Sequence, residues 1–245
     1  MDLGKLEYAK RPARLEPGIV FVLSGGEDRE AVFLRALMEK DFFRQCVHVL
    51  FQSKDGQGLM PDEMDIWWQR ARKRNKITIG GNDYHINSID KVFLLSDVDE
   101  FEPELVKILF NKDAVDKAQW IISNPCFEIW LYYCYRSDID PEVKRLRYIK
   151  RSKRSQRMKQ LNNQLIRGGT DPRKAFDKAL DGIANSKSHF RTGHYGIPGL
   201  FATSMHDMME QIFDFLNQRG QSFADYQRQK KEDLKNFLAA RGISL

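Results

Sequence analysis

The segment Val92–Glu100, VFLLSDVDE, constrains the fold of this chain more than any other. Its leading apolar residues, Val92, Phe93, Leu94 and Leu95, form a run of a length and character that fits a buried strand. The run ends in Asp97 and Asp99, one residue apart. Carboxylates at i and i+2 can converge on one ion where the chain turns away from a sheet. Hard cations such as Mg²⁺ take oxygen ligands, commonly one or two carboxylates together with phosphate oxygens. In an open α/β sheet, ligands also sit outside the carboxyl ends of the strands. The competing reading is structural: acidic residues ahead of a helix at Glu102–Phe110 favour its N-terminus with no ligand at all.

Strand and helix patterns alternate around this segment. Gly18–Ser24, GIVFVLS, reads as a strand, Gly25-Gly26 as a turn, and Asp28–Lys40 as a helix with Val32, Phe33, Leu37 and Met38 on one side. Cys46–Phe51 reads as a second strand and Pro61–Asn75 as a helix carrying Trp67 and Trp68. Lys76–Asn87 has the pattern of a hairpin turned at Gly80-Gly81-Asn82-Asp83. Lys91–Leu95 reads as a central strand, Gln119–Ser123 as another, and Cys126–Arg136 as the start of an aromatic helix. Beyond Pro141 the patterns are helical only: the basic segment, Pro172–Ala184, Thr203–Gln218 and Ala224–Arg241. This alternation predicts an α/β protein with a mostly parallel sheet flanked by helices and a helical C-terminal extension.

The length, 245 residues, suits one such domain with a helical addition, or two small domains. A hydrophobic content of 42% beside 30% charged residues argues against global disorder. No apolar run approaches the ~20 residues that span a bilayer. The opening MDLGKLEYAKRPARLEPG is polar and mixed in charge, unlike a signal peptide. Cys46, Cys126 and Cys134 form no CxxC pair, which argues against structural zinc and suits free thiols in a reducing cytoplasm. There is no GxxxxGK[ST] loop, so no P-loop ATPase is expected in this chain.

The net charge of +6 is unevenly placed. Between Val143 and Thr170 stand Lys144, Arg145, Arg147, Lys150, Arg151, Lys153, Arg154, Arg157, Lys159 and Arg167, with no acid among them. Such a block raises a strong local potential and suits a polyphosphate, because each neutralised phosphate releases counterions. A solvated, self-repelling loop and an acidic face on a partner protein are the other readings.

Four segments together resemble the RloB family of Toprim-fold proteins from bacterial defence and restriction clusters. They are Val20–Leu34 (VFVLSGGEDREAVFL), the Asp-x-Asp strand VFLLSDVDE, Ser123–Leu131 (SNPCFEIWL) and Thr203–Ile212 (TSMHDMMEQI). The third is the most specific, similar to the family's Asn-Pro-Cys-Phe-Glu-x-Trp signature at every fixed position. The resemblance implies a Toprim-like α/β core over residues 1–140, with a basic and helical region, 141–245, packing on it. It also implies Mg²⁺ (or Mn²⁺) held by Asp97 and Asp99, with Glu27 or Glu30 and Glu128 completing a catalytic site. By the same resemblance the activity is phosphodiester cleavage of DNA or RNA in antiviral defence, beside a separate ATPase subunit. Lys144, Arg145, Arg147, Lys150, Arg151, Lys153, Arg154, Arg157 and Lys159 would then grip the nucleic-acid backbone.

The chain departs from that pattern at one point. The family's early glutamate falls on Gly25 and the following Thr on Arg29, while Glu30 keeps the acidic position beyond. Glu27 lies two residues past the vacancy, and catalysis tolerates little misplacement. The family's His after the Trp helix is replaced by Cys134. A Toprim-like subunit without catalysis, binding nucleic acid or a partner ATPase, is therefore the alternative. Glu128 either joins the site or satisfies backbone N–H groups at its helix start. Asn124 and Pro125 shape the strand-to-helix turn, with Pro125 expected near the first helical position. His189 and His194, with Lys187 and Arg191, lie in a polar loop, and His206 reads as a packed histidine. Trp67 or Trp68 either stacks bases or fills core.

Overall fold

The computed structural model describes residues 18–26, 28–39, 47–52, 60–79, 81–99, 101–111 and 116–217, with part of 228–241. Strands β1 (Gly18–Ser24), β2 (Val47–Gln52), β5 (Lys91–Asp97) and β6 (Ala118–Ser123) form one sheet in the order β2-β1-β5-β6, every neighbour parallel. The hairpin expected at Lys76–Asn87 is present as β3 (Lys76–Ile79) and β4 (Asn82–His85). Helix α1 spans Arg29–Glu39, α2 Pro61–Arg74 and α3 Glu102–Phe110. The expected α/β fold class is thus the observed one, and it is consistent with a Toprim-like architecture.

Strand β5 shows why the VFLLS run carries no alternation of apolar and polar residues. A parallel strand between two others is covered by helices on both faces, so both sets of side chains must be apolar. Phe93 and Leu95 point into one core with Val20, Val22 and Ile121, closed by Phe33, Leu34, Trp130 and Met208. Val92 and Leu94 point the other way, joining Phe21, Leu23 and Ile122 beneath Met64, Trp68 and Leu105. Burying side chains of this size contributes about 1.5–3 kcal/mol each. The parallel register aligns Ser24 with Leu95 and Asp97 with Ser123, so the ends of β1, β5 and β6 share one edge.

A third apolar cluster ties the C-terminal region to this frame. Helix α4 (Glu128–Tyr133) is buried throughout. Its Ile129, Tyr132 and Tyr133 meet Val143, Leu146, Met158 and Leu161. The basic segment is not one helix. It runs as α5 (Pro141–Lys144), two 3-10 turns at Arg145–Tyr148 and Arg151–Lys153, and α6 (Arg154–Gln164). The reason is visible at Leu146: its burial draws the turn inward while the neighbouring cations stay in water. The helical pattern at 172–184 is likewise split into α7 (Pro172–Ala175), a 3-10 turn and α8 (Ala179–His189). Helix α9 (Met205–Asn217) closes the first core. Pro125 is not at the first helical position, because α4 begins at Glu128; the Asn124–Pro125 peptide is cis. Half of the residues in 224–241, together with Glu27 and Cys46, lie outside the described residues. No helix among those described is long and apolar enough to cross a membrane.

Candidate metal and phosphate site

At the shared strand edge lies a cavity of ≈ 320 Å³, lined by Gly25, Gly26, Asp28, Arg29, Glu30, Ser96, Asp97, Phe127, Glu128 and Lys159 among others. Three elements bring its carboxylates together. Asp97 is the last residue of β5, Glu30 lies in the first turn of α1, and Glu128 opens α4.

Glu30 reaches back over the turn that precedes its own helix. Its Oε2 accepts hydrogen bonds from the Ser24 hydroxyl and from the Gly26 backbone N–H, the latter at 3.1 Å. A Cβ on Gly26 would stand 2.5 Å from that oxygen. Glycine at 26 is therefore what lets the carboxylate occupy the turn, directly beside Gly25. Glu27, the other candidate for this place, falls outside the described residues.

The electrostatics of the cavity are those of under-compensated negative charge. Burial, with Glu30 and Glu128 close by, pushes the Asp97 carboxyl well above the usual carboxylate range, against the pull of Lys159. Burial also raises Glu30, opposed by the Ser24 bond and reinforced by Glu128. One Asp97 oxygen, Oδ1, is buried with no hydrogen-bond partner. Burial alone would lower Lys159, but Glu128, Asp97 and Asp28 outweigh it and hold the ammonium more firmly protonated. Arg29 lines the cavity and is tied on several sides. Its Nε lies 3.8 Å from Glu128 Oε1, its Nη1 donates to Thr170 Oγ1 at 3.3 Å, and its Nη2 donates to Asn163 Oδ1.

Asp99 goes elsewhere. Past Asp97 the chain turns, and the Asp99 Oδ2 accepts the Ser155 backbone N–H at 3.0 Å, capping the start of α6. The carbonyls of Val98 and Asp99 accept from Arg151 Nη2 and Nε at 3.0 and 2.9 Å. The i, i+2 spacing thus delivers one carboxylate to the cavity and the other to a helix N-terminus. Among the described residues, no group of three His, Cys, Asp or Glu side chains stands in a ready metal-ligating arrangement. The donor set of the cavity nonetheless suits a hard cation: carboxylate oxygens only, one of them orphaned.

The basic segment divides into committed and free cations. Arg145 pairs with Glu142 at 2.6 Å, Arg151 with Glu102, and Arg157 donates to Gln160. Arg154 donates to the carbonyls of Leu146, Ile149 and Arg147. Lys144, Arg147, Lys150 and Lys153 are exposed with no acidic partner among the described residues. Lys159 belongs to the cavity wall.

Among the described residues, no histidine belongs to the cavity lining. His189 stacks on Tyr133 at 5.5 Å and bonds the Ser137 carbonyl at 2.7 Å. His206 is packed edge-on against Phe190, and His194 is exposed. Trp68 is core, its Nε1 donating to Asp116 at 2.6 Å, while Trp67 is half-buried. Cys126 and Cys134 are free, buried thiols, and burial raises the pKa of each, which disfavours the thiolate form. Sequence reasoning did not single out Arg29 as a functional residue. Its signal was the charge standing where a Thr was expected, one residue before Glu30.

These features define a class: a parallel α/β protein with a carboxylate cavity, bordered by Arg29 and Lys159, at the carboxyl edge of its sheet. The chain belongs to the RloB-like protein family, whose model matches residues 23–212. No curated protein and no solved structure matches it.

Proposed function

We propose that this protein is a cytoplasmic, Mg²⁺-dependent Toprim nuclease (Mn²⁺ serving as well) that cleaves DNA or RNA in bacterial antiviral defence, beside a separate ATPase subunit. The observation that carries the reading is the convergence of Glu30, Asp97 and Glu128 on one cavity that also holds Lys159 and Arg29. Asp97 and Glu30 would hold the metal, with Glu128 across from them. A metal there supplies neutralisation of the charge that develops on phosphate and activation of a water nucleophile.

The chain's own residues do the rest. Lys159, kept protonated by the surrounding carboxylates, places a positive charge where a phosphate oxygen gains negative charge. Arg29 is anchored to α6 and to Thr170, so its guanidinium is oriented before any substrate arrives. Glu128, within reach of Arg29, can take a proton from water or return one to a leaving oxygen. The free cations Lys144, Arg147, Lys150 and Lys153 would hold the flanking backbone.

The second reading is a non-catalytic subunit that binds nucleic acid or a partner ATPase. The placement of Asp99 favours it, because its Oδ2 takes the Ser155 N–H and the residue is not part of the cavity lining, its buried Oδ1 being left without a hydrogen-bond partner outside that lining. The test is cleavage of labelled single- and double-stranded DNA and RNA with Mg²⁺ or Mn²⁺, with and without the ATPase subunit. Asp97→Asn should lower the rate at least ~100-fold, since removing a metal carboxylate forfeits several kcal/mol of charge stabilisation. No cleavage of any substrate by the unmodified protein, with or without the partner, overturns the nuclease reading and favours the second.

A further inference from the structure

Tyr148 is the most exposed of the large hydrophobic side chains described, at 83%, and it stands between Arg147 and Lys150 in the acid-free segment. Exposed aromatics are ordinary when scattered, and Phe110, at 71%, at least has the Tyr195 ring against its edge. Tyr148 has no ring contact among the described residues. Its backbone, in contrast, is held from several sides. Leu146 is fully buried beneath the turn, and the Arg154 guanidinium donates to the carbonyls of Leu146, Ile149 and Arg147, before and after the tyrosine. Just beyond, Arg151 is fastened to the Val98 and Asp99 carbonyls, at the end of the strand that delivers Asp97.

A rigid turn that spends one arginine on fixing itself, and presents a bare ring between free cations, is built to meet a ligand with a flat face and negative charges. Unpaired nucleotides have both. Base–aromatic stacking is tolerant of sequence, and flanking Lys and Arg side chains follow the phosphates. In a duplex the base faces are already stacked on one another and closed to such a ring. An acidic peptide would satisfy the cations and leave the ring unused. We propose that the turn Arg147–Lys150 binds single-stranded nucleic acid, with one base stacked on Tyr148 and phosphates on Arg147 and Lys150. The substrate class of the cavity then narrows to single strands or locally unpaired regions, a step that rests on the nuclease reading, whereas the binding itself does not.

The experiment measures binding of the full chain to a fluorescent 20-nucleotide single strand, and to a blunt duplex of the same sequence, in EDTA. Tyr148→Ala should weaken single-strand binding about tenfold and leave duplex binding unchanged, while Tyr148→Phe, which keeps the ring, stays within about twofold of the unmodified protein. Arg147→Ala with Lys150→Ala should flatten the dependence of log K on log salt by about 1.4, at roughly 0.7 per phosphate contact on a single strand. The proposal falls if Tyr148→Ala binds the single strand as tightly as the unmodified protein. It falls equally if that variant loses duplex binding in parallel, or if polyglutamate of equal charge displaces the strand as well as unlabelled oligonucleotide does. Because the binding assay holds no metal, an unmodified protein that binds the strand there yet cuts nothing in the Mg²⁺ or Mn²⁺ cleavage assay overturns the reaction and leaves the stacking turn standing.

Discussion

The carboxylate cavity and the basic segment beside it handle charge in opposite ways. In the cavity, Glu30, Asp97 and Glu128 are gathered out of water, and burial first, then the neighbouring carboxylates, raises the proton affinity of Asp97 and Glu30. In the basic segment, Arg151 and Arg154 are spent on backbone carbonyls and Arg145 on Glu142. Charge that finds its partners inside the chain holds the fold. Charge crowded together without them is destabilising, and is retained where a ligand completes it. Asp97 and Asp99 compress the contrast into three residues: the first lies in the crowded cavity, the second caps α6.

The sharpest way to break this comparison acts through Gly26. A Cβ there would meet the Glu30 carboxylate, which is the free end of a flexible side chain and can swing away at little cost to the fold. Gly26→Ala should therefore expel Glu30 from the turn and lower metal-dependent cleavage by about two orders of magnitude, the scale of a small misplacement in a catalytic constellation. The melting temperature should move by no more than a few degrees. Cleavage that survives Gly26→Ala would show that Glu30 does not stand in for the glutamate missing at Gly25.

The two aspartates should respond to amidation with opposite signs in metal-free protein. A carboxyl whose folded pKa is raised binds its proton more tightly in the native state, so its penalty is fully present above the folded pKa. That penalty fades as pH falls toward the unfolded value. Asp97→Asn should accordingly stabilise the protein at neutral pH by on the order of 1 kcal/mol, the usual gain from relieving a functional site. The gain should disappear in acid, below about pH 4. Asp99→Asn weakens a charged cap on the Ser155 N–H and should instead cost about 1 kcal/mol. Urea titrations of both variants across pH measure the pair; an Asp97→Asn protein less stable than its parent at neutral pH removes the basis of the contrast.

Much of this frame was legible in the sequence, and the parts that were not share a cause. The strand at Gly18–Ser24 and the helix at Glu102–Phe110 fall on the residues their patterns indicated, because apolar run length and flanking Gly or Pro are local signals. The central position of VFLLS followed from its lack of alternation. The destination of Asp99 did not, because it depends on Ser155, far along the chain and close in space. The same holds for Lys159, read as one of a row of backbone-gripping cations and found on the cavity wall, and for Arg29 with its partners Asn163 and Thr170. Spacing within a motif says which side chains leave the backbone near each other. It does not say which distant helix will claim them.

The smallest predicted effects separate committed from free cations within the basic segment itself. Arg154→Met leaves the carbonyls of Leu146, Ile149 and Arg147 without their shared donor, and bonds to a charged donor are each worth about 1.5–3 kcal/mol when both ends are protected from water. The guanidinium is only half-buried, so water recovers much of that, and a net loss of roughly 1–2 kcal/mol is expected in urea unfolding. Lys153→Ala removes an exposed cation with no acidic partner among the described residues, and should leave stability within about 0.5 kcal/mol. Its effect should appear only in binding, as a loss of roughly 0.7–0.9 in the salt slope for one released phosphate contact. If Lys153→Ala unfolds as readily as Arg154→Met, the division of this segment into structural and ligand-facing charge is wrong, and its cations must be treated as one solvated patch.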